Sequence, residues 1–407
     1  MTQPTCLTWR LAGMHVVRFV AGLALVVASG CSTSQVRSGS PSPSLSRPPA
    51  ASNLPSGAAA ASSSPVSAPS KLSPAPSPLL SSDPSGWAAL FTVSGRLSFG
   101  MGGPNPELVG IDAASLFLTG AFTDSAGQRA TLVRVDRAKL RIVATADPPD
   151  LTAVAYGVGA LWWATGHPNV ANGCNCTPPP ASRLLLELDP VSLAVTRRFE
   201  LPAAPTLVTV SGGNVWVATE NTLMRIDPND GRVLATVGLG FHPVSLAGSA
   251  DGARVYVLGG TASDDFVLAD ADAATGISLG RVSGQFATDG PLAVTASGVW
   301  VPETDPTRQS TRMQLFTGSD LQAGVFVDGL VNDAVPHIAG KTLWVIDSGG
   351  VGPTLCADAA TGAVRARGAP VGVSIGTVLS DATATYLLND VGVNDTLLRV
   401  AVTHNCK

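Results

Sequence analysis

An aromatic residue inside a short apolar run recurs seven times, and this recurrence limits the possible folds more than anything else in the chain. The markers are Phe117, Trp162, Trp216, Tyr256, Trp300, Trp344 and Tyr386, spaced by 45, 54, 40, 44, 44 and 42 residues. Around Trp216 the unit is plain. Asn214–Ala218, Thr222–Asp227 and Arg232–Val237 are strand-like runs separated by turns, and Pro228-Asn229-Asp230-Gly231 follows the second run directly. Strands this short, joined by Gly/Asp turns, form antiparallel meanders. A period of roughly 40–50 residues with four such strands describes a propeller blade.

Two further columns keep the same register. Asp136, Asp189, Asp227, Asp272 and Asp358 each close a strand and open a turn, with Thr317 and Ala401 in that place in the other two units. Pro106, Pro149, Pro205, Pro243, Pro291 and Pro336 precede the markers. The expected fold is therefore all-β, a seven-bladed β-propeller of four-stranded antiparallel blades. The last unit stops after its third strand, Thr396–Ala401, whereas Leu90–Leu97 has strand character ahead of the first. The N-terminal strand is expected to complete the last blade, which closes the ring and protects its edges. The aromatic column is read as packing between blades.

Three segments are expected: residues 1–30 as a signal peptide, 31–86 as a tether and 87–407 as the propeller. The first has Arg10 and Arg18 ahead of the apolar run Phe19–Ala28, too short for a stable span. It ends in Val27-Ala28-Ser29-Gly30-Cys31, which resembles the bacterial lipoprotein cleavage box. That resemblance implies lipidation of Cys31 and anchoring to the cell membrane on the extracytoplasmic side. Of the 55 residues from Ser32 to Gly86, 38 are Ser, Pro or Ala. Such a segment buries too little apolar surface to offset the entropy of ordering. From Trp87 onward 20 Lys+Arg face 28 Asp+Glu, a net charge of −8, which argues against nucleic acid as a partner.

Beyond Cys6 and Cys31, four cysteines remain. An even number in an exported domain points to disulfides, with three possible pairings. The repeat register favours Cys174–Cys176 and Cys356–Cys406. A metal site at Cys174 and Cys176 is the alternative, without a second ligand pair at zinc spacing.

The chain contains no nucleophile elbow, zincin motif or phosphate-binding loop. The stretch Asp264–Asp272 is acidic but lacks calcium-loop spacing, so Asp270 and Asp272 are read as solvated turn carboxylates. Residues that enter the innermost strands should surround the channel mouth. On that logic His242 and His337 are the candidate catalytic residues, and Asp289 and Asp333 the candidate metal ligands, with Glu107, Asp150 and His167 nearby. The sequence requires no cofactor. Units such as GGNVWVATENTLMRIDPNDG and DGARVYVLGG resemble propellers of the YVTN surface-layer repeat and streptogramin B lyase groups. The second resemblance implies a His base, for which His242 or His337 would stand, and a divalent metal held by acidic side chains. The leading expectation is a binding module for a small ligand or another envelope protein, with a lyase-like enzyme as the alternative and a quinone-cofactor dehydrogenase third.

Overall fold

A computed structural model describes the chain from Leu90 to Cys406, except for residues 102–106, 124–128, 149–150, 167–180, 250, 262–264, 287–290, 306–309, 331–333, 348–353, 369–373, 382, 391–395 and 403–405. The chain is a seven-bladed β-propeller. Its strands fall into seven antiparallel sheets in sequence order. The innermost strands are Glu107–Ile111, Leu151–Gly157, Leu207–Ser211, His242–Gly248, Ala293–Val294, Ala334–Ala339 and Ser374–Ser380, defining blades 1 to 7. Each lies against the next, and that of blade 7 lies against that of blade 1. In blade 1 a two-residue strand, Gly100–Met101, adds to the same edge of the second strand as Glu107–Ile111.

The ring closes as the sequence leads one to expect. Phe91–Ser98 is the outer strand of blade 7 and pairs antiparallel with Thr396–Val402, from Phe91 opposite Val402 to Ser98 opposite Thr396. Leu90 is buried, and Phe91 stacks on Trp344 of blade 6 with ring centroids 4.6 Å apart.

The described residues form seven apolar clusters, one at each seam between neighbouring blades. A chain of this size is too large for one core, so it divides its apolar burial among the seams. Each marker packs toward the following blade: Phe117 against blade 2, Trp216 against blade 4, Tyr386 against blade 1. All seven are at most 3% exposed. Truncating one of the indoles to Ala should cost about 3–5 kcal/mol.

The turn-opening aspartates order the rim. Asp136, Asp189, Asp227, Asp272 and Asp358 accept backbone N–H bonds on Oδ1 from Lys139, Ser192, Asn229, Thr275 and Thr361, at 2.7–3.0 Å. These bonds to the ionised form hold every one of the carboxyls below the usual range. Four residues after each aspartate the backbone turns left-handed. Leu140 and Leu193 take that place in blades 1 and 2, Gly231 in blade 3. The choice is set by the preceding blade. The Leu140 side chain lies over Gly95, whereas Gly231 faces the Phe199 ring, 2.0 Å from where a Cβ would stand.

Arginines then tie one blade to the next blade's turn. Arg134 donates to Val191 O (2.7 Å), Arg197 to Pro228 O (2.8 Å), Arg254 to Gly318 O (2.5 Å) and Arg399 to Arg137 O (3.3 Å). Arg134 and Arg399 lie directly across from the markers Phe117 and Tyr386. Cys356 holds that place opposite Trp344. It is joined to Cys406, with Cα atoms 5.8 Å apart and both residues fully buried. Thr342 Oγ1 also donates to Cys406 O at 3.0 Å. A covalent bond therefore stands where other seams have an arginine clasp, at the blade whose third and outer strands are not joined by a turn.

Gly231→Ala should destabilise the protein by about 2–4 kcal/mol, combining strain at positive φ with overpacking. Phe199→Ala in the same chain should recover part of that loss, a coupling of about 1–2 kcal/mol in a double-mutant cycle followed by chemical denaturation. Simple additivity would show that the ring and the turn do not compete for the space.

Candidate functional site

The inner strands start at one face of the ring and end at the other. At the far end they converge. A Cβ on Gly157 would lie 2.6 Å from Val210 Cβ, and one on Gly248 would lie 2.7 Å from Ser211 Cβ. The starting end is the mouth at which the candidate residues are expected.

Two of the expected mouth residues are there. Glu107 is the first residue of blade 1's inner strand and His242 the first of blade 4's, and both side chains are exposed. His337 is not at the mouth. Its strand begins three residues earlier, at Ala334, and His337 pairs across to Trp344 on the face turned to blade 7. It is 8% exposed, and among the described residues its Nε2 has no hydrogen-bond partner. Trp344 Nε1, on the same seam, and Ser380 Oγ, on the inner strand of blade 7, also lack partners among the described residues. Burial alone pushes the His337 pKa down to about 4, so the imidazole is neutral. The two candidate bases therefore occupy different environments on blades 4 and 6. Asp150, His167, Asp289 and Asp333 lie outside the described residues, as do Cys174 and Cys176.

Asp270 corrects the expectation of solvated carboxylates. It is 2% exposed, takes Arg254 Nη1 on Oδ2 at 2.9 Å and Gly280 N on Oδ1 at 2.6 Å. Alternation along the third strand of blade 4, Phe266–Asp272, turns Asp270 toward the Tyr256 side, directly opposite that marker. Burial outweighs the Arg254 charge and raises the Asp270 pKa. Asp272 caps its own turn through Thr275, so the two carboxylates do not converge. Among the described residues no three His, Cys, Asp or Glu side chains are grouped to hold a metal.

The opposite face carries polar clusters that the sequence reading missed. At the seam of blades 7 and 1, Arg137 is 7% exposed and donates from Nη2 to Asp381 Oδ2 (2.5 Å) and Thr383 Oγ1 (3.0 Å). Its Nε donates to the Tyr386 hydroxyl at 3.2 Å. Together with hydrogen bonds from Thr383 and Ala384, this holds the Asp381 pKa at about 2. The signal available in the sequence was tyrosine, rather than tryptophan or phenylalanine, at two of the seven markers.

No known family matches the chain, and no curated protein matches it either. Solved structures do. Hydrazine synthase of Kuenenia stuttgartiensis aligns at TM-score 0.53 and 14% identity, over 74% of this chain and 96% of that one. BamB from Moraxella catarrhalis aligns at 0.45 and 14%, over 76% and 99%. The computationally designed Ika8 protein aligns at 0.49 and 11%, over 72% and 95%. At such identities the likeness is one of fold alone.

His337 gives a pH test. Its folded pKa lies below the ordinary 6.5, so the unfolded chain takes up the proton first. The stability that comes from a neutral imidazole is complete above pH 6.5 and is lost as pH falls toward 4, by about 3 kcal/mol in all. His337→Leu should remove that loss, flattening the stability profile between pH 7 and 4 in urea titrations. Parallel profiles for the two proteins would contradict the burial of a neutral imidazole.

Proposed function

We propose that the chain is an exported, lipid-anchored protein whose propeller is a binding module for another envelope protein or a small ligand. Residues 1–30 serve as the signal peptide, Cys31 carries the lipid, and residues 31–86 are the tether, all outside the described residues. The observation that carries the reading is the buried Cys356–Cys406 bond at the closing seam, because structural disulfides persist in oxidising, extracytoplasmic compartments. The Ser/Pro/Ala composition after Cys31 supports a spacer between membrane and propeller. No helix among the described residues is long and apolar enough to cross a membrane, and two acyl chains on Cys31 would be enough for stable anchoring. Within propellers, units such as GGNVWVATENTLMRIDPNDG support a likeness to the YVTN surface-layer repeat and streptogramin B lyase groups. Of the two candidate bases, His242 is the one open to a lyase-type reaction, because the His337 imidazole is buried in a blade seam.

Cys31→Ser should move the protein from the membrane fraction to the soluble extracytoplasmic fraction and abolish the mass added by acylation. An unchanged distribution and an unchanged mature mass would overturn the anchor.

A further inference from the structure

The blade repeat allows the inner strands to be compared seam by seam. On each of them one residue pairs directly with the marker. It is Gly, Ala or Thr in blades 1 to 5 and Leu379 in blade 7, but His337 in blade 6. The residue after it is Ile111, Tyr156, Val210, Gly248, Val294 and Ile338 in blades 1 to 6, but Ser380 in blade 7. His337 and Ser380 are therefore polar exceptions in two columns that otherwise pack.

The two columns meet across a seam. Between blades 1 and 2, a Cβ on Gly110 would lie 2.3 Å from Tyr156 Cβ. The marker-paired residue of one blade thus faces the following residue of the next blade. The same register between blades 6 and 7, whose inner strands lie side by side, sets His337 against Ser380. Alternation agrees. Ala339, two residues after His337, and Val378, two before Ser380, both pack into the cluster of that seam, whereas Leu379 packs into the seam of blades 7 and 1.

His337 Nε2 and Ser380 Oγ are shielded from solvent, and among the described residues neither has a hydrogen-bond partner, each other included. Trp344 Nε1, on the residue paired with His337, is in the same position. At the seam of blades 5 and 6, the corresponding Trp300 Nε1 donates at 2.8 Å to the carbonyl of Ala359, the residue after a turn-opening aspartate. Blade 7 has Ala401 in the aspartate's place, and its third strand runs through it to Val402. Polar atoms buried without a partner carry the full cost of desolvation, so three on one seam call for an explanation.

We infer that the closing seam holds an internal water molecule that bridges His337 Nε2 and Ser380 Oγ, with Trp344 Nε1 as the donor for a third bond. The indole only donates, the hydroxyl donates or accepts, and a neutral imidazole nitrogen does one or the other according to tautomer. A water satisfies every such combination, and buried waters make about three hydrogen bonds. An anion would bring an unpaired charge into an apolar seam, and a cation would meet the indole N–H. The seam of blades 6 and 7 would then be fastened at two radii: between inner strands by the water, and at the third strand of blade 6 by the Cys356–Cys406 bond. The inference depends neither on the binding-module reading nor on the lipid anchor.

The test is magnetic relaxation dispersion of the water nuclei with the full-length, oxidised protein in detergent, which counts internal waters that exchange slowly with the bulk. His337→Ala with Ser380→Val gives this seam the Ala247/Val294 pair of the seam of blades 4 and 5. The double variant should lose one slowly exchanging water. Should it fail to fold, ring-nitrogen spectra of the wild type, isotope-labelled at its five histidines, carry the test. His337 Nε2 should resonate as a hydrogen-bonded nitrogen, and the imidazole should show cross-relaxation with a bound water. An unchanged number of slow waters in a folded double variant would overturn the inference. So would the resonance of an unbonded Nε2, or a bonded Nε2 without cross-relaxation to water, which is the mark of a direct bond to Ser380 Oγ.

Discussion

Every blade buries its apolar faces only against its two neighbours, so the fold depends on a ring without ends. The chain meets this requirement with one set of backbone hydrogen bonds, between Phe91–Ser98 and Thr396–Val402. Without that pairing, blade 7 would present a three-stranded sheet with an open edge, and two seams would lose part of their packing. Leu90 and Phe91 belong to the cluster at the seam of blades 6 and 7, and Leu97 packs into that of blades 7 and 1. One strand therefore supports the sheet it completes and the contacts on both of its faces.

The seam of blades 6 and 7 is built differently from the others because blade 7 alone has no turn between its third and outer strands. Where four other blades hold a neighbour's turn with a guanidinium, this seam holds the segment after the third strand covalently, through Cys406. The same seam contains the neutral His337 and Trp344 Nε1, which has no hydrogen-bond partner among the described residues. A disulfide that holds the seam together offsets the cost of burying polar groups there, and proton uptake by His337 on acidification works against the closure.

The architecture was legible because it repeats. Aromatic residues buried at seven seams, and aspartates that cap seven-fold related turns, must recur at the blade period, and both columns can be read without coordinates. The histidines show where that reading stopped. Proline is not fixed relative to the start of the inner strand: Pro205 lies two residues before its strand, while Pro336 is the third residue of its own. His337 therefore falls inside the strand, where alternation turns it into the seam. The arginine clasps were hidden for a related reason. Arg134 and Arg399 come from third strands, Arg197 from an outer strand and Arg254 from a second strand, so guanidiniums at four separate seams do the same job without sharing a sequence column. The facing of His337 and Ser380 was the least legible, because two different columns meet across a seam only when the inner strands are in register.

The most direct test of ring closure is native-state hydrogen exchange, followed segment by segment in the intact, oxidised protein. If the ends of the chain close the ring, the paired amides of Phe91–Ser98 and Thr396–Val402 should exchange only through global opening, with the same opening free energy and denaturant dependence as the inner strands of blades 3 and 4. Exchange of Phe91–Ser98 at a distinctly lower free energy, with the inner strands still protected, would show that the ring stands without its N-terminal strand and would contradict the account.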